Sequence, residues 1–195
     1  MKNYWFLIGL MFVFGCQQSK KIDNKNPTVS TAKDSLLAAQ TDTIALGDLN
    51  NDKIADTAFI YTPPTMASFD AKGKIQYQFG CLDNHCFNRI AFSCKLPEIT
   101  SENSVWGRIE NAGDLNNDGI SELLFVPGWF TSSMAHLFLY SLQNGKWETV
   151  AKVDYRNNDG PLLPNLIQSD GKYYLRGVDF SDDDAPYQTE IHFKK

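Results

Sequence analysis

The chain has 195 residues, with 18 Lys and Arg against 23 Asp and Glu, 43% apolar residues and 13% aromatic residues. That length suits one domain rather than two, and that apolar content excludes a chain too polar to order itself. Five of the basic and two of the acidic residues fall in the first 40, so residues 41–195 carry 13 basic against 21 acidic groups; an acidic domain without a basic patch excludes nucleic acid, whose phosphates require clustered Lys and Arg.

The chain opens Met1-Lys2-Asn3, continues as an apolar run from Tyr4 to Phe14, and reaches Gly15-Cys16. A charged start and a short apolar stretch are the pattern of a secretory signal, and the run falls well short of the roughly 20 residues that span a bilayer. Val13-Phe14-Gly15-Cys16, followed by polar Gln17-Gln18-Ser19, resembles the lipobox of bacterial lipoproteins. That resemblance implies a signal peptide over residues 1–15, a lipid on Cys16 and an address in the cell envelope. Gln17, where an inner-membrane retention signal has Asp, implies the outer membrane. Two acyl chains hold durably where one holds only marginally. Residues 16–40, rich in Gln, Ser, Lys, Asn and Thr, read as a flexible tether, with a hint of helix at Leu36-Leu37-Ala38-Ala39.

From Thr41 onward, short runs of β-branched and aromatic residues are punctuated by turn chemistry about every ten residues, which predicts an all-β domain over 41–195. Expected strands are 43–46, 57–61, 74–79, 89–94, 105–111, 122–127, 135–142, 147–154, 163–168, 173–178 and 187–193. Asn144-Gly145 and Asp170-Gly171 predict tight hairpins, because both residues of a type I′ turn need positive φ. The sheets are therefore expected to be antiparallel.

Gly47-Asp48-Leu49-Asn50-Asn51-Asp52 recurs as Gly113-Asp114-Leu115-Asn116-Asn117-Asp118, and each copy leads through an acid into an apolar strand. A fixed-offset recurrence implies a repeated supersecondary unit. Asp179-Phe180-Ser181-Asp182-Asp183 is a fainter echo. In the first loop oxygen-bearing side chains fall at positions 1, 3, 5 and 9, as Asp48, Asn50, Asp52 and Asp56, with the backbone carbonyl of Ile54 at position 7. The second supplies Asp114, Asn116, Asp118 and Glu122, with the carbonyl of Ile120. Hard oxygens alternating along a tight turn suit Ca²⁺, which tolerates irregular coordination, better than Mg²⁺. An EF-hand needs Glu at position 12, where these loops have Phe59 and Phe125. Gly119 permits the sharp reversal at position 6 of the second loop, where the first has Lys53.

The Gly-Asp-Leu-Asn-x-Asp pattern, with an acid at position 9 and an apolar strand after it, resembles the FG-GAP repeats of integrin α-subunit N-terminal domains and their bacterial relatives. That resemblance implies propeller blades whose loops are braced by a structural calcium. At this repeat length residues 41–195 hold two to three blades, so the expectation is an open or incomplete propeller, or a sandwich-like arrangement of the same units.

Cys81, Cys86 and Cys94 remain in the domain, and an envelope address favours a disulfide among them with one thiol left over. A zinc site is a weaker reading, since the spacing fits no common finger. Pairing of Cys86 with His85, His136 or His192 is a weak catalytic dyad, and no nucleophile elbow, phosphate loop or His-Glu-x-x-His is present. Trp129-Phe130, between Pro127-Gly128 and Thr131-Ser132-Ser133, reads as a loop whose rings stack on a sugar or anchor a protein. The expected protein is a lipid-anchored envelope binding module and not an enzyme. The alternatives are an envelope hydrolase or carbohydrate-processing enzyme, and a purely architectural lipoprotein.

Overall fold

The computed structural model describes residues 33–130, 132–157 and 160–193. The signal segment, Cys16 and the tether as far as residue 32 lie outside the described residues. Among those described, the fold is all-β and antiparallel, with two short 3₁₀ turns, Leu82–Asn84 and Leu163–Asn165, as its helical elements.

Two four-stranded sheets carry the repeat. The first is ordered β2 (Gln40–Gly47), β3 (Asp56–Thr62), β6 (Phe87–Phe92), β7 (Ile99–Glu102), and the second β8 (Trp106–Gly113), β9 (Glu122–Gly128), β10 (Met134–Gln143), β11 (Lys146–Arg156). An offset of 66 carries β2 onto β8 and β3 onto β9 end to end, and the same bulge precedes Gly47 and Gly113. A third sheet joins β12 (Leu166–Ser169), β13 (Lys172–Asp179) and β14 (Ala185–Glu190). The expected hairpin turns join β10 to β11 and β12 to β13, with φ of 52° and 74° at Asn144-Gly145 and 51° and 72° at Asp170-Gly171.

These three sheets stack face to face with the second in the middle. Strand β9 shows this most directly, since Leu123 to Val126 are all fully buried and point alternately to opposite faces. Leu123 and Phe125 join Leu46, Leu49, Ala58, Ile60, Ile90, Ile99 and Ile109 in a core shared with the first sheet. Leu124 and Val126 join Leu137, Leu139, Ala151, Val153, Tyr155, Leu162, Leu175 and Ile191 in a core shared with the third. Close approach of the second and third sheets requires Gly177, where a Cβ would lie 2.5 Å from that of Val153.

Two expectations are corrected here. The stretch read as tether, with a hint of helix at Leu36-Leu37, instead supplies strand β1 (Lys33–Leu37), paired antiparallel with β4 (Thr65–Phe69). Residues 163–168 are a 3₁₀ turn leading into β12 rather than one strand. Strands β1, β4 and β5 (Ile75–Cys81) form a small side sheet, whose β4–β5 hairpin is inserted between β3 and β6 of the first repeat. The corresponding connection in the second repeat is the Trp129-Phe130 loop.

Candidate functional site

Both loops fold alike, residue for residue. Gly47 and Gly113 lie at φ 74° and 83°, Asn51 and Asn117 at 58° and 61°, Lys53 and Gly119 at 69° and 91°. Glycine tolerates these left-handed positions, Asn adopts them with modest cost, and Lys does so only under strain. The aspartate at position 1 holds the reversal. Asp114 Oδ1 and Oδ2 accept the N–H groups of Asp118 (3.0 Å) and Gly119 (2.9 Å), and Asp48 does the same for Asp52 (3.2 Å) and Lys53 (2.8 Å). Asp118 Oδ1 accepts from Ile120 N–H and Asp52 Oδ1 from Ile54 N–H, at 2.9 and 2.8 Å.

Two side-chain oxygens converge on one donor in each loop. The N–H of Asp118 is shared by Asp114 Oδ1 and Asn116 Oδ1 (2.8 Å), and that of Asp52 by Asp48 Oδ1 and Asn50 Oδ1 (3.3 Å). Asn116 and Asn50 also donate through Nδ2 to Asp118 Oδ2 and Asp52 Oδ2. Among the described residues no ion pair engages any of the five aspartates of these loops. In the second loop each Asp114 oxygen accepts one of these N–H groups and keeps a lone pair, whereas Asp48 Oδ1 accepts two, from Asn50 and Asp52.

The acid at position 9 behaves differently. Glu122 is 1% exposed, its Oε2 accepting Leu115 N–H at 2.6 Å and its Oε1 accepting Ser141 Oγ–H and Asn116 Nδ2–H at 2.9 Å each. Asp56 is 3% exposed and accepts Leu49 N–H and Ser93 Oγ–H at 3.0 Å each. These carboxylates close the loop from within. Burial pushes the Glu122 carboxyl above its ordinary range; Leu115 N–H and the Ser141 hydroxyl oppose that, while Asp118 and Asp114 reinforce it. Among the described residues no three His, Cys, Asp or Glu side chains stand together as a ready-made metal cluster. The candidate ligands therefore divide into an outward set (Asp48, Asn50, Asp52; Asp114, Asn116, Asp118) and the inward braces Asp56 and Glu122. Ile54 is exposed and Ile120 half-buried at position 7.

The loops also touch one another. Ser121 N–H donates to Leu49 C=O at 2.8 Å, and Asn111 Nδ2–H to Leu46 C=O at 2.9 Å. Ser93 and Ser141 went unread in the sequence because they lie 37 and 19 residues from the acids they hold, and no local pattern marks them. The fainter echo at Asp179 is an ordinary acidic turn, with Ser181 N–H and Oγ–H on Asp179 Oδ1 and Asp184 paired to Arg156.

Cys81 and Cys86 form the disulfide and Cys94 stays free. Cys86 accordingly offers no thiol to a histidine, and His85 instead meets Glu102 at 3.1 Å. Burial pushes the Cys94 thiol up, with Asp56 beside it adding to the effect, which disfavours the thiolate a nucleophile needs. Trp129 is 43% exposed, whereas Phe130 is half-buried, its ring edge-on to Trp129 at 4.9 Å and packed with Trp106 against Cys81, Cys86 and Val105. Of the two rings expected on the surface, Trp129 stands out and Phe130 supports it. No helix of the described residues is long and apolar enough to cross a membrane. Comparison with protein-family models, with curated proteins and with solved structures gives no match.

Proposed function

We propose that the chain is a bacterial envelope lipoprotein, held in the outer membrane through Cys16, whose FG-GAP-type repeats form an incomplete propeller braced by calcium and serve as a binding module. The single observation that carries the metal reading is the matched pair of loops, in which acceptor oxygens at positions 1 and 3 converge on one N–H and, among the described residues, no ion pair balances the carboxylates. Calcium bound there neutralises clustered carboxylates and ties the two arms of the turn together. Asp114, Asn116 and Asp118 hold it in the second loop, Asp48, Asn50 and Asp52 in the first, with the carbonyls of Ile120 and Ile54 as backbone donors. Asp56 and Glu122 act behind them, fixing the N–H of Leu49 and Leu115 so that the turn keeps its shape. The stacking of the repeat sheets supports the blade reading. Trp129, raised on Phe130 and the disulfide at the end of the stack away from these loops, is the candidate contact residue for a protein or glycan.

Calorimetric unfolding of the full chain with calcium, with magnesium and with chelator tests this reading. A ligand bound only by the native state at 100 times its Kd adds about 2.7 kcal/mol. The expected result is a calcium-selective rise in Tm that the Asp114→Ala, Asp118→Ala double variant lacks. An equal response in that variant, or none in the parent chain, refutes the metal assignment.

A further inference from the structure

Exposed apolar surface is concentrated on the small side sheet. Among the described residues eleven large apolar side chains stand exposed, and five of them belong to this sheet and the turn that follows it: Leu36 on β1, Ile75, Tyr77 and Phe79 on β5, and Leu82, each between 42% and 53% exposed. The other six are scattered singly from Ile54 to Tyr187. Leu37, Thr65 and Gln78 line a cavity of about 150 Å³ against Thr62, Val105 and Trp106, so one face of the side sheet is turned toward the body of the fold. Successive side chains of a strand point to opposite faces; Leu36, Tyr77 and Phe79, the chain neighbours of Leu37 and Gln78, therefore point away from it. The Tyr77 and Phe79 rings meet on one side, 5.8 Å apart and tilted by 54°, and each keeps about half its surface in solvent.

The same sheet reverses the charge of the domain. Residues 41–195 carry 13 basic against 21 acidic groups, but β1 and the β4–β5 hairpin carry Lys33, Lys72 and Lys74 against Asp34 and Asp70. Asp70 Oδ1 is tied into the hairpin turn, accepting the N–H groups of Lys72 and Lys74 at 2.8 and 2.9 Å. The three lysines are exposed, and among the described residues no ion pair engages them. Two features of the chain point to what covers this face. The second repeat has the Trp129-Phe130 loop in place of the hairpin, so the repeat folds without it. Strand β1 is also where the chain arriving from Cys16 enters the fold: sixteen residues separate Cys16 from Lys33, a span of at most about 60 Å when fully extended. A lipid on Cys16 keeps the side sheet next to the bilayer, where contact becomes intramolecular and even a small patch is occupied. Rings and aliphatic chains settle at the boundary between headgroups and acyl chains, and ammonium groups meet lipid phosphates there. We infer that the outer face of the side sheet, with Tyr77 and Phe79 at its centre and Lys72 and Lys74 at its rim, docks on the anionic lipid surface of the membrane that holds the Cys16 anchor. The inference rests on the lipoprotein reading and deepens it, and it is independent of the calcium loops.

Intact mass of the full chain extracted from the envelope reports whether Cys16 carries lipid, and fluorescence of the same material in vesicles of phosphatidylethanolamine and phosphatidylglycerol reports the docking. Tyr77→Trp places an indole on the face. The expected result is an added, blue-shifted emission that brominated lipid quenches by about half or more, whereas the emission added by Tyr187→Trp on the third sheet is not quenched. The Lys72→Glu, Lys74→Glu double change should weaken that quenching, with a melting temperature close to the parent's because both side chains lie outside the core. Lipid on Cys16 without quenching in Tyr77→Trp refutes the docking face alone. Equal quenching in Tyr187→Trp, or quenching that the double lysine change leaves undiminished, overturns it as well. Dimers of the extracted chain that Tyr77→Asp disperses assign the face to a second copy and overturn the membrane. A chain without lipid on Cys16 refutes the anchor reading, and this orientation with it.

Discussion

Lys53 sits at φ 69° where the second repeat has Gly119 at 91°. A left-handed L-residue costs about 1–2 kcal/mol, so Lys53→Gly removes that strain and is set against glycine's larger loss of freedom on folding. Chemical denaturation should show Lys53→Gly stabilised by about 0.5–1 kcal/mol and Gly119→Ala destabilised by about 1–2 kcal/mol. Opposite signs for these two changes are the signature of one backbone geometry used twice. At Glu122, an amide cannot accept from Leu115, Asn116 and Ser141 as a carboxylate does, so Glu122→Gln should cost about 1–3 kcal/mol through an unpaired buried donor. The same substitution changes the response to pH. Because burial raises the Glu122 carboxyl in the fold above its ordinary 4.5, the folded chain keeps this proton to a higher pH than the unfolded chain does. The stability contributed by this group is therefore full below about 4.5 and is lost as pH rises through the higher folded value. In chelator, the difference in unfolding free energy between the parent and Glu122→Gln should drift across that window and be flat above it; a pH-independent difference contradicts the buried-carboxyl account.

At the scale of elements, the disulfide closes the inserted hairpin where the first repeat departs most from the second. Cys81 ends β5, Cys86 directly precedes β6, and the pair supports Phe130 beneath Trp129. Replacing both by Ser should destabilise the fold by about 2 kcal/mol and quench or shift Trp129 emission under reducing and oxidising conditions alike, while the parent chain changes only on reduction. Most strands were legible because their alternation is strong and local: β3 and β9 follow the acid of each loop, and Asn-Gly and Asp-Gly mark two hairpins. Strand β4, Thr-Met-Ala-Ser-Phe, lacks that alternation, with Thr65, Ala67 and Ser68 all buried. Strand β1 looked like tether because its polarity matches the residues before it, and only pairing with β4 orders it. Positions 1, 3 and 5 stood out by spacing, since their side chains act within their own turn. The inward role of Asp56 and Glu122 could not, because it depends on Ser93 and Ser141 arriving from distant strands.

For the molecule as a whole, the middle sheet is what makes the fold cooperative. Its two faces build two cores, and the segment after β11 completes the second: Leu162, Leu175 and Ile191 bury against Leu124, Val126, Leu137 and Val153. Polar contacts hold the same segment, since Glu110 accepts the N–H groups of Leu162 and Leu163 at 2.8 Å each and Arg108 donates to Gly160 C=O. Burying three such side chains contributes about 5–9 kcal/mol, which is comparable with the whole stability of an ordinary domain, about 5–15 kcal/mol. A chain ending at residue 157 should therefore lose cooperative unfolding altogether, although it retains both loops and both four-stranded sheets. Gly177→Ala tests the same interface more gently. Its Cβ would press on Val153 and on Asp154 C=O at 2.7 Å, forcing the sheets apart at a cost of about 1–3 kcal/mol. Because Ser121 and Leu49 join the loops through a backbone hydrogen bond, that loss should appear in a single calorimetric transition covering both repeats. Two separate transitions would mean that the first sheet stands without the third, and that the stack is a set of independent units rather than one domain.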